Sequence, residues 1–171
     1  MKLQNLHPRT PSSLSFSIRR SLFKSDLELL KLREGLRLHW YLDTLGKKTG
    51  GYGHLWRRGD PVVFEQKDAE RWLEIDSGAA RKSALKLFNQ LPFQTQSLLD
   101  VLVSCQYQFG NDFDKDFPKT WRLMLEGDYM AASKEAEKSL WFKQTPVRVR
   151  DLQQALSEAY LLARQYADLG L

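Results

Sequence analysis

Apolar residues recur at helical spacing through most of this chain and lose that rhythm near its start. From residue 93 onward the pattern predicts helices over 95–107, 117–125, 129–139 and 148–169, punctuated by Gly110, Pro118, Gly127 and Pro146. The loops between them are short, so neighbouring helices are expected to pack as antiparallel or crossed pairs. Upstream, Ala69, Trp72, Leu73, Ala79, Ala80, Leu85 and Leu87 fall roughly at helical spacing over 65–87. A helix of about 23 residues rises about 34 Å, enough to join two lobes. Gly78 is its weak point, at a cost of about 1 kcal/mol against Ala.

Further upstream the pattern changes twice. Ser25 and Glu28 are spaced as the two ends of a capping box. Leu27, Leu30 and Leu32 are then expected to line one side of a short helix that Gly35 terminates. Glu34 therefore sits at a helix end, beside a cleft rather than inside a core. Over 36–54 helix formers give way to aromatic residues, threonines and glycines. Asp43-Thr44-Leu45-Gly46 is the expected turn, and Gly50, Gly51 and Gly53 mark bends. Two or three antiparallel strands result, too few to stand without a helix to lean on. The expected class is α+β, mainly helical: a small lobe over 25–66, a connecting long helix over 67–90 and a helical lobe over 91–171.

Residues 1–24 show neither period and read as a basic arm rather than a domain. The arm carries Lys2, Arg9, Arg19, Arg20 and Lys24 without an acid, whereas the remainder balances 21 bases with 21 acids. The net charge of +5 on this chain of 171 residues thus belongs to the arm. Attraction to nucleic acid, membranes or acidic polymers is expected there, and no nucleic-acid partner is expected for the body. Cys105 is the only cysteine, which excludes an internal disulfide, and its apolar helical setting predicts a buried structural role. No apolar run approaches the ~18 residues that span a bilayer, and the start lacks the ~7–15-residue apolar core of a secretory signal. His7, His39 and His54 fall in no ligand pattern and there is no phosphate loop, so no metal and no nucleotide cofactor is implied.

The candidate chemistry lies over 32–55, where Glu34, Asp43 and Thr49 meet one cleft if the segment between them turns back as a hairpin. Hydrolysis of a glycosidic bond needs one carboxylic acid to protonate the departing oxygen and a second carboxylate to assist attack at the anomeric carbon. Carboxyls on a helix end and on a hairpin are held by different elements at a fixed separation, and a threonine hydroxyl beside the second one suits a water. Spacing alone does not single out this pair in a chain with 21 acidic residues.

The full string does. Glu34-Gly35-Leu36-Arg37-Leu38, then Tyr41 to Gly46 as Y-x-D-T-x-G, then Thr49 to His54 as T-x-G-x-G-H, closely resemble the phage-type lysozymes of the T-even phage class. Tyr107-Gln108-Phe109-Gly110 resembles that family's aromatic segment at the cleft. Phe117-Pro118-Lys119-Thr120 resembles the stretch ending in a substrate-contacting hydroxyl. The block Lys138-Ser139-Leu140-Trp141-Phe142-Lys143-Gln144-Thr145-Pro146-Val147-Arg148 is similar to the family's K-S-x-W-x-x-Q-T-P-x-R. The resemblance covers roughly 25–165 and leaves out the arm.

What the resemblance implies is a two-lobed lysozyme-like fold and an endolysin-type muramidase acting on bacterial peptidoglycan. Glu34 looks like the general acid, Asp43 the second carboxylate and Thr49 the water-positioning hydroxyl. Leu55, Tyr107, Gln108 and Thr120 match substrate contacts, Arg148 the arginine that pairs with the acid, and His54 a scaffold residue expected to meet a carboxylate such as Asp76. Inversion of the anomeric centre is favoured. Two departures stand out: the connection after His54 is short, and Glu135 replaces a neutral amide at a substrate contact. Lys47 and Lys48 beside Thr49 are expected to be solvated.

The chain is expected to act as a monomer, to be made in the cytoplasm of a bacterial host, and to reach the wall through a holin-type lesion or by injection. The rival reading is a wall-binding or virion structural protein that keeps the fold without turnover.

Overall fold

The computed structural model describes residues 25–170, so the arm expected over 1–24 lies outside the described residues. The order is α1 (Asp26–Glu34), β1 (Arg37–Leu42), β2 (Lys48–Gly51), β3 (His54–Leu55), α2 (Gln66–Asp76), α3 (Gly78–Phe88), α4 (Gln96–Gln108), α5 (Phe113–Asp116), α6 (Pro118–Leu125), α7 (Tyr129–Glu137), α8 (Leu140–Gln144) and α9 (Pro146–Asp168). The class is the expected one, mainly helical with one small antiparallel sheet in the order β1-β2-β3.

Helix α1 starts at the predicted cap, where Ser25 Oγ accepts from the Glu28 amide at 3.2 Å. The Glu28 carboxylate goes instead to Lys31, 3.3 Å away. Leu29 and Leu30 are buried, and Leu32, expected on the inner side, is 64% exposed. A two-residue step turns roughly 200° about a helix axis, so Leu30 and Leu32 cannot share a face. Gly35 closes the helix at φ 71°, with its amide donating to Lys31 O, a left-handed position that a side chain would strain.

The connecting helix is present with one interruption. Ser77 separates α2 from α3, next to Gly78, and its backbone stays near helical values (φ −76°, ψ −10°). The Ser77 amide still donates to Leu73 O and the Arg81 amide to Ser77 O, each at 2.9 Å. The Ser77 hydroxyl also donates back to Glu74 O at 3.2 Å, a bond that competes with the helix ladder and tends to bend it.

Helix α4 is the centre of the helical part. Leu98, Val101, Leu102, Val103 and Cys105 are buried, and α1, α3 and α9 pack around it. Its polar residues Ser97, Asp100, Ser104 and Gln106 are buried as well, and Gln106 is bonded to Ser83 and to the Phe113 amide, as buried polar groups must be. Two helices were not predicted, α5 and α8, whose four and five residues are too short to display a period. Helix α9 starts at Pro146, earlier than expected, because proline at the first helical position loses no hydrogen bond there. Arg148 consequently sits in the first turn of α9 and faces inward.

Candidate active site

Glu34 is the last residue of α1, and its carboxylate is held from across the molecule. Arg148 Nη2 donates to Glu34 Oε1 at 2.5 Å. The same guanidinium reaches α4 through Nη1, which donates to Ser104 Oγ at 3.0 Å and Ser104 O at 3.3 Å. One arginine thus ties the ends of α1 and α9 to the central helix. One residue earlier, Arg33 donates to both oxygens of Asp151, from Nε at 2.7 Å and from Nη2 at 2.6 Å. The planar fork of an arginine fits a carboxylate in this paired manner. Sequence reading did not find this second tie, since nothing in one sequence joins residues 118 positions apart.

The sheet supplies the other groups. Tyr41 pairs with Thr49, and Leu42 with Lys48. Across β3, Thr49 pairs with Leu55 and Gly50 with His54. Side chains alternate along a strand, so Tyr41, Thr49 and Leu55 form a row on one face, and Asp43, two residues past Tyr41, continues it. Asp43 also closes the β1–β2 turn. Its Oδ1 accepts from the Leu45 amide at 2.9 Å and the Lys47 amide at 2.8 Å, while the Asp43 amide donates to Lys47 O at 2.9 Å. The Thr49 hydroxyl donates to that same carbonyl at 3.1 Å, which leaves its oxygen free to accept. Thr49 is only 4% exposed.

The opposite face of the sheet holds Trp40, Gly50 and His54, and it packs on α2. His54 stacks on Trp72 at 4.6 Å between ring centroids. Its Nδ1 lies 2.5 Å from Asp76 Oδ2 and its Nε2 lies 3.1 Å from Asp60 Oδ2. The Asp76 contact was expected and the Asp60 contact was not. With both nitrogens facing carboxylates, His54 stands on the other side of the sheet from Asp43 and Thr49. A side chain at residue 50 would meet Trp40 Cε3 at 2.9 Å and Phe64 Cζ at 3.0 Å, which explains the glycine.

The remaining candidates are spread over the helical side. Tyr107 is half-buried, and burial first, then the charge of Glu34, pushes its phenol above the ordinary range, so it stays a neutral hydroxyl. Gln108 is engaged at both ends: its Oε1 accepts from Trp141 Nε1 at 3.0 Å and its Nε2 donates to Thr145 Oγ1 at 3.1 Å. Thr120 is 3% exposed in α6. Glu135 pairs with Lys138 at 3.0 Å.

Chemically, two carboxylates are each fixed through one oxygen, Glu34 by a guanidinium and Asp43 by two amides. Among the described residues, Glu34 Oε2 and Asp43 Oδ2 carry no hydrogen bond. A family model described as phage lysozyme matches residues 31–155, which is well over half of the chain and contains all of these groups.

Proposed function

We propose that this chain, which belongs to the phage lysozyme family, is an endolysin-type muramidase that hydrolyses the β-1,4 bond between N-acetylmuramic acid and N-acetylglucosamine. The family is one of lysozyme-type glycosidases, so peptidoglycan is the substrate class. In this reading a glycan strand lies between a sheet-bearing lobe, 25–66, and a helical lobe, 91–171.

Glu34 gives the proton to the departing glycosidic oxygen, through the oxygen that Arg148 leaves open. Asp43 Oδ2 and the Thr49 hydroxyl hold the attacking water between them. Asp43 takes up the proton that water releases, and the anomeric centre inverts. Leu55, beside Thr49 in the sheet, and Tyr107, beside Glu34, line the strand's path. Gln108 contributes its second amide hydrogen, and Thr120 on α6 is the remaining substrate contact that the family resemblance implies. The Arg148 and His54 contacts hold the two carboxylate-bearing elements in place.

The observation that carries this reading is the row on one sheet face, where Asp43 and Thr49 share the Lys47 backbone and Asp43 keeps one oxygen free. The test is clearing of a peptidoglycan suspension by wild type and Glu34→Gln. A fall of at least a hundredfold is expected, measured at a temperature where circular dichroism shows both proteins folded. Equal rates would overturn the assignment, and binding to the wall without clearing by wild type would favour a wall-binding structural protein. Release through a holin-type lesion or injection would bring the enzyme to the wall.

A further inference from the structure

The loop after β3 presents apolar and cationic side chains outward from a rigid frame. Pro61 O accepts from Trp40 Nε1 at 2.9 Å, and Phe64 is buried against Trp40 and Trp72, at 5.0 and 4.8 Å between centroids. Between these two anchors, Val62 and Val63 are 84% and 83% exposed. The loop's first half is equally fixed: Asp60 Oδ2 accepts from the Arg57 amide at 2.6 Å, and Arg57 Nη2 donates to Asp76 Oδ1 at 2.8 Å. A single exposed valine needs no explanation. Two consecutive ones, pinned outward at both sides, have no folding role.

The charges around them are sorted by direction. Asp60 and Asp76 turn inward to His54. Arg58 is exposed, Arg57 is exposed but paired with Asp76, and Lys48 Nζ lies 4.8 Å from the half-exposed Trp56 ring and 5.5 Å from Trp40. Trp40 and Lys48 belong to the sheet face opposite Asp43 and Thr49. Over 48–63 the chain has Lys48, Arg57 and Arg58 against Asp60 alone, although residues 25–171 as a whole are neutral.

We propose that this loop docks the enzyme on an anionic lipid bilayer, with Val62, Val63 and Trp56 entering the headgroup boundary and Lys48 and Arg58 meeting lipid phosphates. Apolar residues with an interfacial tryptophan and a cationic rim are the composition of such anchors, and basic residues near an anionic leaflet each add to the attraction. A soluble polyanion would use the cations and leave the valines without purpose, so a bilayer is the better match. Docking by this side leaves the face with Asp43 and Thr49 directed away from the lipid.

The experiment is sedimentation of the full chain with vesicles of phosphatidylglycerol and phosphatidylethanolamine, against phosphatidylcholine alone, at about 0.1 M salt. The arm adds the same electrostatic background to every sample, and raising salt screens it while leaving the apolar contribution of the valines. Val62→Ser with Val63→Ser is expected to lower partition onto the anionic vesicles about tenfold. Lys48→Gln with Arg58→Gln should lower it several-fold, an effect that fades as salt rises. Wild-type partition by the valine variant would overturn the proposal, as would retention of wild type by an anionic wall polymer with none on vesicles. Binding is read without turnover, so failure of the muramidase reading would leave this result standing.

Discussion

Arg33 and Asp151 meet through two parallel hydrogen bonds of 2.7 and 2.6 Å, one residue along α1 from the Glu34–Arg148 contact. Two consecutive residues of one helix end are thus clamped by residues three apart on another, with the charge order reversed between the pairs. Both partners of the first pair are mostly shielded, at 15% and 8% side-chain exposure. Asp151→Ala strands a guanidinium there and is expected to cost about 3 kcal/mol, read as a lower midpoint in urea unfolding. Exchanging the two, Arg33→Asp with Asp151→Arg, should recover a large part of it.

The Thr49 hydroxyl has a narrow task, donating to Lys47 O while leaving its oxygen to accept. Thr49→Val keeps the shape and removes the acceptor, so clearing of peptidoglycan should drop by about a hundredfold. Thr49→Ser should retain most of the rate. Matching fluorescence-monitored unfolding curves for both variants would assign the difference to the site rather than to the fold.

Gly50 lies under an aromatic lid. Its substitution by alanine drives a methyl to 2.9 Å from Trp40 Cε3 and 3.0 Å from Phe64 Cζ, an overpacking that costs about 1–3 kcal/mol. The midpoint of thermal unfolding should fall accordingly. Activity well below that midpoint should persist, because the displaced rings lie on the face away from Asp43.

Cys105 is buried in α4 and its thiol is pushed by burial from the ordinary 9.0 up to about 12. A raised thiol pKa means less thiolate, roughly a thousandfold less at pH 8. Alkylation by iodoacetamide at pH 8 should therefore be negligible in the native chain and rapid in urea, as mass spectrometry would record.

The sequence carried those parts of this picture that local chemistry dictates. Ser25 as a cap, Gly35 as a stop and the Asp43–Gly46 turn are each decided by residues a few positions apart, and each is found where expected. His54 against Asp76 was also legible, through the resemblance. What stayed hidden depends on contacts between distant segments. Arg33 with Asp151 and Gln108 with Trp141 and Thr145 join separate helices, and α5 and α8 are too short for a period to emerge. The division of α2 from α3 at Ser77 falls beside Gly78, the weak point that helix propensity marks, and what propensity does not reveal is the Ser77 hydroxyl bonding back to Glu74 O.

The clamp on α1 also sets an order of events during synthesis. Glu34 leaves the ribosome 114 residues ahead of Arg148, and Asp43 and Thr49 follow it closely. A nascent or truncated chain that stops short of α9 therefore holds Glu34, Asp43 and Thr49 and lacks Arg148, the partner of the first of them.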